Sequence, residues 1–169
     1  MYSFIYYIQS IMPPATTTTL ALPLPNAHFI WNCAWLAIPS AIYAYSHPAS
    51  THLAIIPASV WATSILYWRN PLRDSWRRTL DMVAVFTGLS YNTYYAVRHA
   101  SPNHFGVYAA LIGTSAVCYS ASNYLMARGH IWPATYAHAS IHLVGNIANL
   151  VLYEGVNNNL TGENVIIRK

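Results

Sequence analysis

IWPATYAHASIHLVGNIANLVLY, residues Ile131 to Tyr153, decides how the chain must fold. As a helix rising 1.5 Å per residue it crosses a bilayer, for which about 20 residues suffice. The first charge after it is Glu154. His138 and His142 stand four residues apart and so share one helix face, which Asn146 and Asn149 continue. A polar stripe on an apolar membrane helix is costly against lipid, so it must turn toward other helices or a cavity.

Composition supports that setting. Only 7% of the 169 residues are Asp, Glu, Lys or Arg, against roughly 25% in a soluble domain. With 55% apolar residues there is too little charge to coat a surface in water. The reading is an all-α, polytopic transmembrane helical bundle in the lipid bilayer. Cys33 and Cys118 lie in separate apolar runs, which excludes a disulfide framework and a zinc-finger pattern. The net charge of +4 comes from Arg and Lys at segment ends. No basic patch alternates with aromatics, so no nucleic-acid partner is expected.

Working outward from the last span, four more are expected: His28 to Tyr45 with a kink at Pro39, His52 to Trp68 containing Pro57, Leu80 to Val97, and Phe105 to Met126. The second is short and implies a thin local bilayer or partial exposure. Before them, Met1 to Met12 (MYSFIYYIQSIM) is too short to span and lacks the basic start of a signal peptide. Its tyrosines favour the headgroup level, so an interfacial or partner-contacting segment is expected. Pro13, Pro14, Thr16 to Thr19, Pro23 and Pro25 then make an extended, non-helical linker. The organisation is therefore residues 1–26 as interfacial segment and linker, 27–154 as the bundle of about five spans, and 155–169 as a polar tail.

Arginine sets the orientation. Arg69, Arg73, Arg77 and Arg78 lie between spans two and three, and Arg128 between four and five. Five spans put these on one side and Arg98, Arg168 and Lys169 on the other. The positive-inside rule then places the N-terminus inside and the C-terminus outside. Asn159-Leu160-Thr161 is a glycosylation sequon on the expected outer side.

Within the spans, Asp81 opens the third. It either caps that helix and pairs with Arg77 or Arg78, or it points inward and orients a histidine or a water. Asn92, three turns along a similar face, favours the inward reading. Ser59, Thr63, Ser64, Thr114, Ser115, Cys118 and Ser122 are small polar groups suited to close helix packing, as are Gly88, Gly106, Gly113 and Gly145.

His138 and His142 are a candidate zinc pair, since histidines at i and i+4 can share one ion. A catalytic zinc needs a third protein ligand. His130 lies about 12 Å further along the same helix axis and cannot supply it. Cys118 is the nearest to a donor, with Asp81 acting directly or through water. Otherwise the two imidazoles are interior groups hydrogen-bonded to Asp81, Ser64 or an asparagine.

Ser64-Ile-Leu-Tyr67-Trp68 at the end of one span, Leu80-Asp81 at the start of the next and His138-x3-His142 in the last resemble the CREST superfamily. That group holds alkaline ceramidases, the adiponectin and progestin receptor family with hemolysin III, and Per1-like proteins. The resemblance implies a zinc ion on three histidines, with the serine and aspartate hydrogen-bonded around it, and hydrolysis of a lipid amide or ester. Ser64 matches the serine, Asp81 the aspartate, and His138 with His142 the last-span pair. The remaining motif histidine falls at Trp68, and five spans stand where the family has seven, so the likeness is to a remote or degenerate member lacking one zinc-ligand histidine.

Two functions follow. The first is a structural or accessory subunit of a larger membrane-associated assembly (respiratory, photosynthetic, or a virion with an internal membrane), with other membrane chains as partners and no cofactor. The second is a zinc-dependent membrane hydrolase, with His138 and His142 on the metal, Asp81 as general base and Ser64 holding the oxyanion.

Overall fold

The computed structural model describes residues 19–167, with side chains from 19 to 160. The expectations for Met1 to Met12 and for 13–18 lie outside the described residues. Within them the protein is helical: α1 (Leu24–Ala34), α2 (Ala37–Ser46), a 3-10 turn (Thr51–Ala54), α3 (Ile55–Trp68), α4 (Trp76–His99), α5 (Pro102–Ala127) and α6 (Ile131–Ile167). An antiparallel bridge between Leu20 and Leu72 is the one extended pairing described.

Proline begins these helices rather than interrupting them. Pro25, Pro39, Pro57, Pro102 and Pro133 each fall within the first three residues of a helix. The first four N–H groups of a helix have no intrahelical partner, so a residue without one is tolerated there. Two expectations change as a result. The stretch through Pro25 is not extended to its end, because α1 starts at Leu24. The first span is two helices, and its break lies one turn before Pro39, at Trp35 and Leu36. Pro39 has no N–H for the Trp35 carbonyl, and its ring crowds that carbonyl. Ile38 N–H bonds Trp35 O instead, at 3.1 Å, and the chain tightens locally.

Other ends are capped by recognisable chemistry. The Ser75 hydroxyl accepts from the Arg78 N–H at 3.3 Å and starts α4. Between α5 and α6, Gly129 adopts φ 78°, a left-handed conformation that costs glycine nothing. Its N–H bonds Met126 O while His130 N–H reaches back to Leu125 O, so the turn is a Schellman closure. The polar stretch 155–167 was expected as a tail but continues α6 as helix. Asn157 explains much of this, because its amide donates to Ser50 Oγ at 3.0 Å and is buried.

Two apolar clusters mark the ends of the bundle. Leu22, Ala27, Ile30, Tyr67 and Trp68 pack with Met126 and Ile131 at one. Leu53, Ile56, Tyr108, Leu152, Tyr153 and Val156 pack at the other. The chain thus runs the length of the bundle five times, with α1 and α2 sharing one run and the 3-10 turn extending α3. Helical rises make each run about 29 Å or longer. Among the described residues, α5 alone is long and apolar enough by itself to cross a membrane. The other runs are broken, short, or striped with polar groups.

The glycines divide. A Cβ on Gly88 would stand 2.7 Å from Ile56 Cγ2, and one on Gly155 would stand 2.5 Å from His104 Cβ. Those two let helices approach. Gly106, Gly113 and Gly145, expected to do the same, have open space over Cα.

Candidate functional site

α6 presents Thr135, His138, His142, Asn146 and Asn149 at intervals of three or four residues, so they form one continuous stripe, and Asn157 lies on the same side about two turns further on. Most of its members meet a different part of the chain. Asn26 of α1 donates to Thr135 Oγ1 at 3.0 Å. Trp68 of α3 packs edge-on against His138, ring centres 4.9 Å apart. Ser40 of α2 donates to Asn146 Oδ1 at 2.7 Å. Asn92 of α4 donates to Asn149 Oδ1 at 3.0 Å. Asn157 reaches Ser50 before the 3-10 turn. α5 joins through Ser122, whose hydroxyl donates to the Ala134 carbonyl at 2.9 Å. α6 is a central post to which every other helix is tied by a polar or ring contact.

The residues singled out by the CREST resemblance fall in two adjoining places. Ser64 Oγ donates to Asp81 Oδ1 at 2.7 Å, and Thr63 Oγ1 donates to the same oxygen at 3.0 Å. Asp81 is buried. It faces inward and is held by hydroxyls, not by the Arg77 or Arg78 pairing that was one alternative. One turn along α3, Trp68 covers His138, and His138 and His142 lie with ring centres 5.8 Å apart.

The two imidazoles make no hydrogen bond to Asp81, Ser64 or an asparagine side chain. His142 Nε2 is enclosed without a partner, and Asn146 bonds only the backbone oxygen of His142, at 2.7 Å. Edge-on and tilted ring contacts hold the pair where hydrogen bonds were expected. Trp68 sets a carbon-rich ring against His138, and among the described residues no three of His, Cys, Asp and Glu gather. Cys118 is half-buried on α5.

Asn159 of the sequon lies within α6, and its amide donates to the His99 carbonyl at 3.2 Å. That bond ties the end of α4 to α6.

Sequence reasoning missed Asn26, Ser40, Ser50, Thr135 and Asn157 as members of this network. The signal was present for Thr135 and Asn157, since the spacing of the histidine stripe extends to both. Asn157 was obscured by the run Asn157 to Asn159, which reads as loop by composition.

Comparison of the chain with protein-family models, with curated proteins and with solved structures finds no match.

Proposed function

We propose that this chain is a multi-pass integral membrane protein, crossing the bilayer five times, that serves as a structural subunit of a larger membrane assembly. One observation carries the reading: the molecule is inside out for water. Asn26, Ser64, Asp81, Asn92 and Thr135 are buried, whereas Ile42, Tyr45, Ile55, Phe86 and Val117 are each more than 60% exposed. A water-soluble domain buries the second set and exposes the first. Lipid reverses that preference, because hydrocarbon welcomes Phe86 and rejects an unpaired Asn92.

The subunit reading adds a second step. The stripe on α6 spends its polar groups on helix-to-helix ties, which is what a packing scaffold requires. Exposed Trp35, Tyr45, Tyr94, Tyr124 and Trp132 then supply aromatic surface at which lipid or other membrane chains can dock. Arg69, Arg73, Arg77, Arg78 and Arg128 gather at one end of the bundle, which orients the N-terminus inside and the C-terminus outside. Resistance to alkaline carbonate extraction, with migration of the native protein well above its 18.9 kDa mass in mild detergent, is the expected result. Release by carbonate would refute the membrane reading, and purely monomeric migration the subunit reading.

One feature favours a second reading, a lipid amidase or esterase of the CREST kind. It is the Ser64–Asp81 hydrogen bond, which matches the serine and aspartate of that pattern. No metal-dependent step is assigned to it. Hydrolysis of a ceramide by the purified chain, abolished by Asp81→Asn with folding retained, would establish this reading over the first.

A further inference from the structure

Two recesses lie on the surface of α4. One, about 410 Å³, is formed by the loop before the helix and its first turns, with Arg73, Asp74, Trp76, Arg78 and Met82 in its wall. The other is a shallow, open face of the same helix past Phe86, Ser90, Tyr91 and Tyr94. Thr79, Met82, Phe86, Ser90 and Tyr94 recur every three or four residues, so both recesses open on one side of α4. We propose that this side holds one anionic phospholipid, its phosphate headgroup in the Arg73/Arg78 recess and an acyl chain along the open Phe86–Tyr94 face. The proposal rests on the membrane reading above.

The upper recess is built rather than incidental. Its loop is clamped from the N-terminal side, with Ala21 N–H on Pro71 O at 2.7 Å and Arg73 N–H on Thr19 O at 3.1 Å. The Arg78 guanidinium donates to Arg73 O at 3.2 Å, which leaves most of its donors free and fixes its position. Asp74 is the one carboxylate in the wall, against two arginines. Asp81, the next along α4, is buried against Ser64 and Thr63 and neutralises neither. A net positive recess with exposed guanidinium donors fits a phosphodiester.

Its depth in the molecule is right for a headgroup. Trp76 on its rim is 67% exposed, as an interfacial anchor is. Beyond it, Leu80, Val83 and Phe86 are exposed on the next turns, so polar loop gives way to apolar helix at the recess floor. From Arg78 to Ser90 the helix rises about 18 Å, and half a hydrocarbon core is about 15 Å. An acyl chain descending from the first recess therefore reaches the second.

The test is native mass spectrometry of the full chain in detergent micelles, offered phosphatidylglycerol and phosphatidylcholine of matched chain length. The expected result is retention of a single phosphatidylglycerol in preference to phosphatidylcholine. Each basic residue at a membrane surface is worth about fivefold, so Arg73→Gln with Arg78→Gln should lower that preference about 25-fold. Ser90→Trp, which crowds the lower face and leaves every charge in place, should weaken retention of both lipids. Arg128→Gln, at the same end but outside both recesses, should change nothing. Equal retention of the two lipids, an equal loss in Arg128→Gln, or displacement by inorganic phosphate alone would overturn the proposal. A chain that resists carbonate extraction but shows no lipid preference refutes this site only; one released by carbonate refutes the membrane reading beneath it.

Discussion

At the scale of single residues, Asp81 and Trp68 govern the interior. Asp81 keeps a carboxylate inside the bundle by accepting from Ser64 and Thr63 together. Removing one hydroxyl leaves the other, so Ser64→Ala should cost about 1–3 kcal/mol in a denaturant titration. Removing both, with Thr63→Val added, should cost more than the sum of the single changes, because the carboxylate then has no described donor. Asp81→Leu in that background should recover much of the loss, since an apolar side chain needs no partner. Trp68 tests a different point. If the His138 pair is a zinc site that lost its third ligand, Trp68→His returns an imidazole to a ring position 4.9 Å from His138. Metal analysis of the purified variant should then find about one zinc per chain. Failure to bind zinc in a folded Trp68→His chain would remove the argument that the CREST likeness reflects a degenerate site.

At the scale of elements, two of the described glycines, Gly88 and Gly155, stand at a close approach. Gly155→Ala would drive a methyl into the His104 ring base, and Gly88→Ala would meet the branched Ile56, whose Cγ2 cannot swing away freely. Each should destabilise by about 1–3 kcal/mol, with Gly155→Ala the worse. Gly113→Ala meets open space and should gain up to about 1 kcal/mol from helix propensity alone. A thermal-shift series over the three variants decides it, and an equal loss in all three would contradict the packing described. These contrasts also mark what the sequence could reveal. The order and approximate bounds of the helices were legible, because apolar runs and Arg-rich connections are local signals. The facing of a glycine was not, since Gly113 and Gly155 differ only in what another helix brings to them. Pro39 was legible as a disturbance but not as a break at Trp35, because its effect falls on the carbonyl four residues earlier. For the site, the His138-x3-His142 stripe was plain from spacing, while its partners Asn26, Ser40 and Ser50 lie about a hundred residues away and carry no local mark.

At the scale of the molecule, the five runs and the two end clusters impose a strict alternation of ends. Tyr67 and Trp68 share a cluster with Met126 and Ile131, so the loop after α3 and the turn after α5 lie at the same end. Ala96 and Tyr108 share the other cluster with Val156, so the turn between α4 and α5 lies opposite. If the bundle crosses a membrane, exposed Asn70 and exposed Asn103 must then face different compartments. The native thiols, Cys33 and Cys118, are half-buried and can be replaced by serine to give a silent background. In sealed vesicles, a membrane-impermeant maleimide added outside should label only one of Asn70→Cys and Asn103→Cys, and inverting the vesicles should exchange them. The arginine bias predicts that position 70 reacts from the inner compartment. Labelling of both positions from one side would mean that α4 does not cross, and α4 carries Asp81, Asn92 and both recesses. Whether it crosses is therefore the premise on which the proposed membrane setting and the proposed headgroup site stand together.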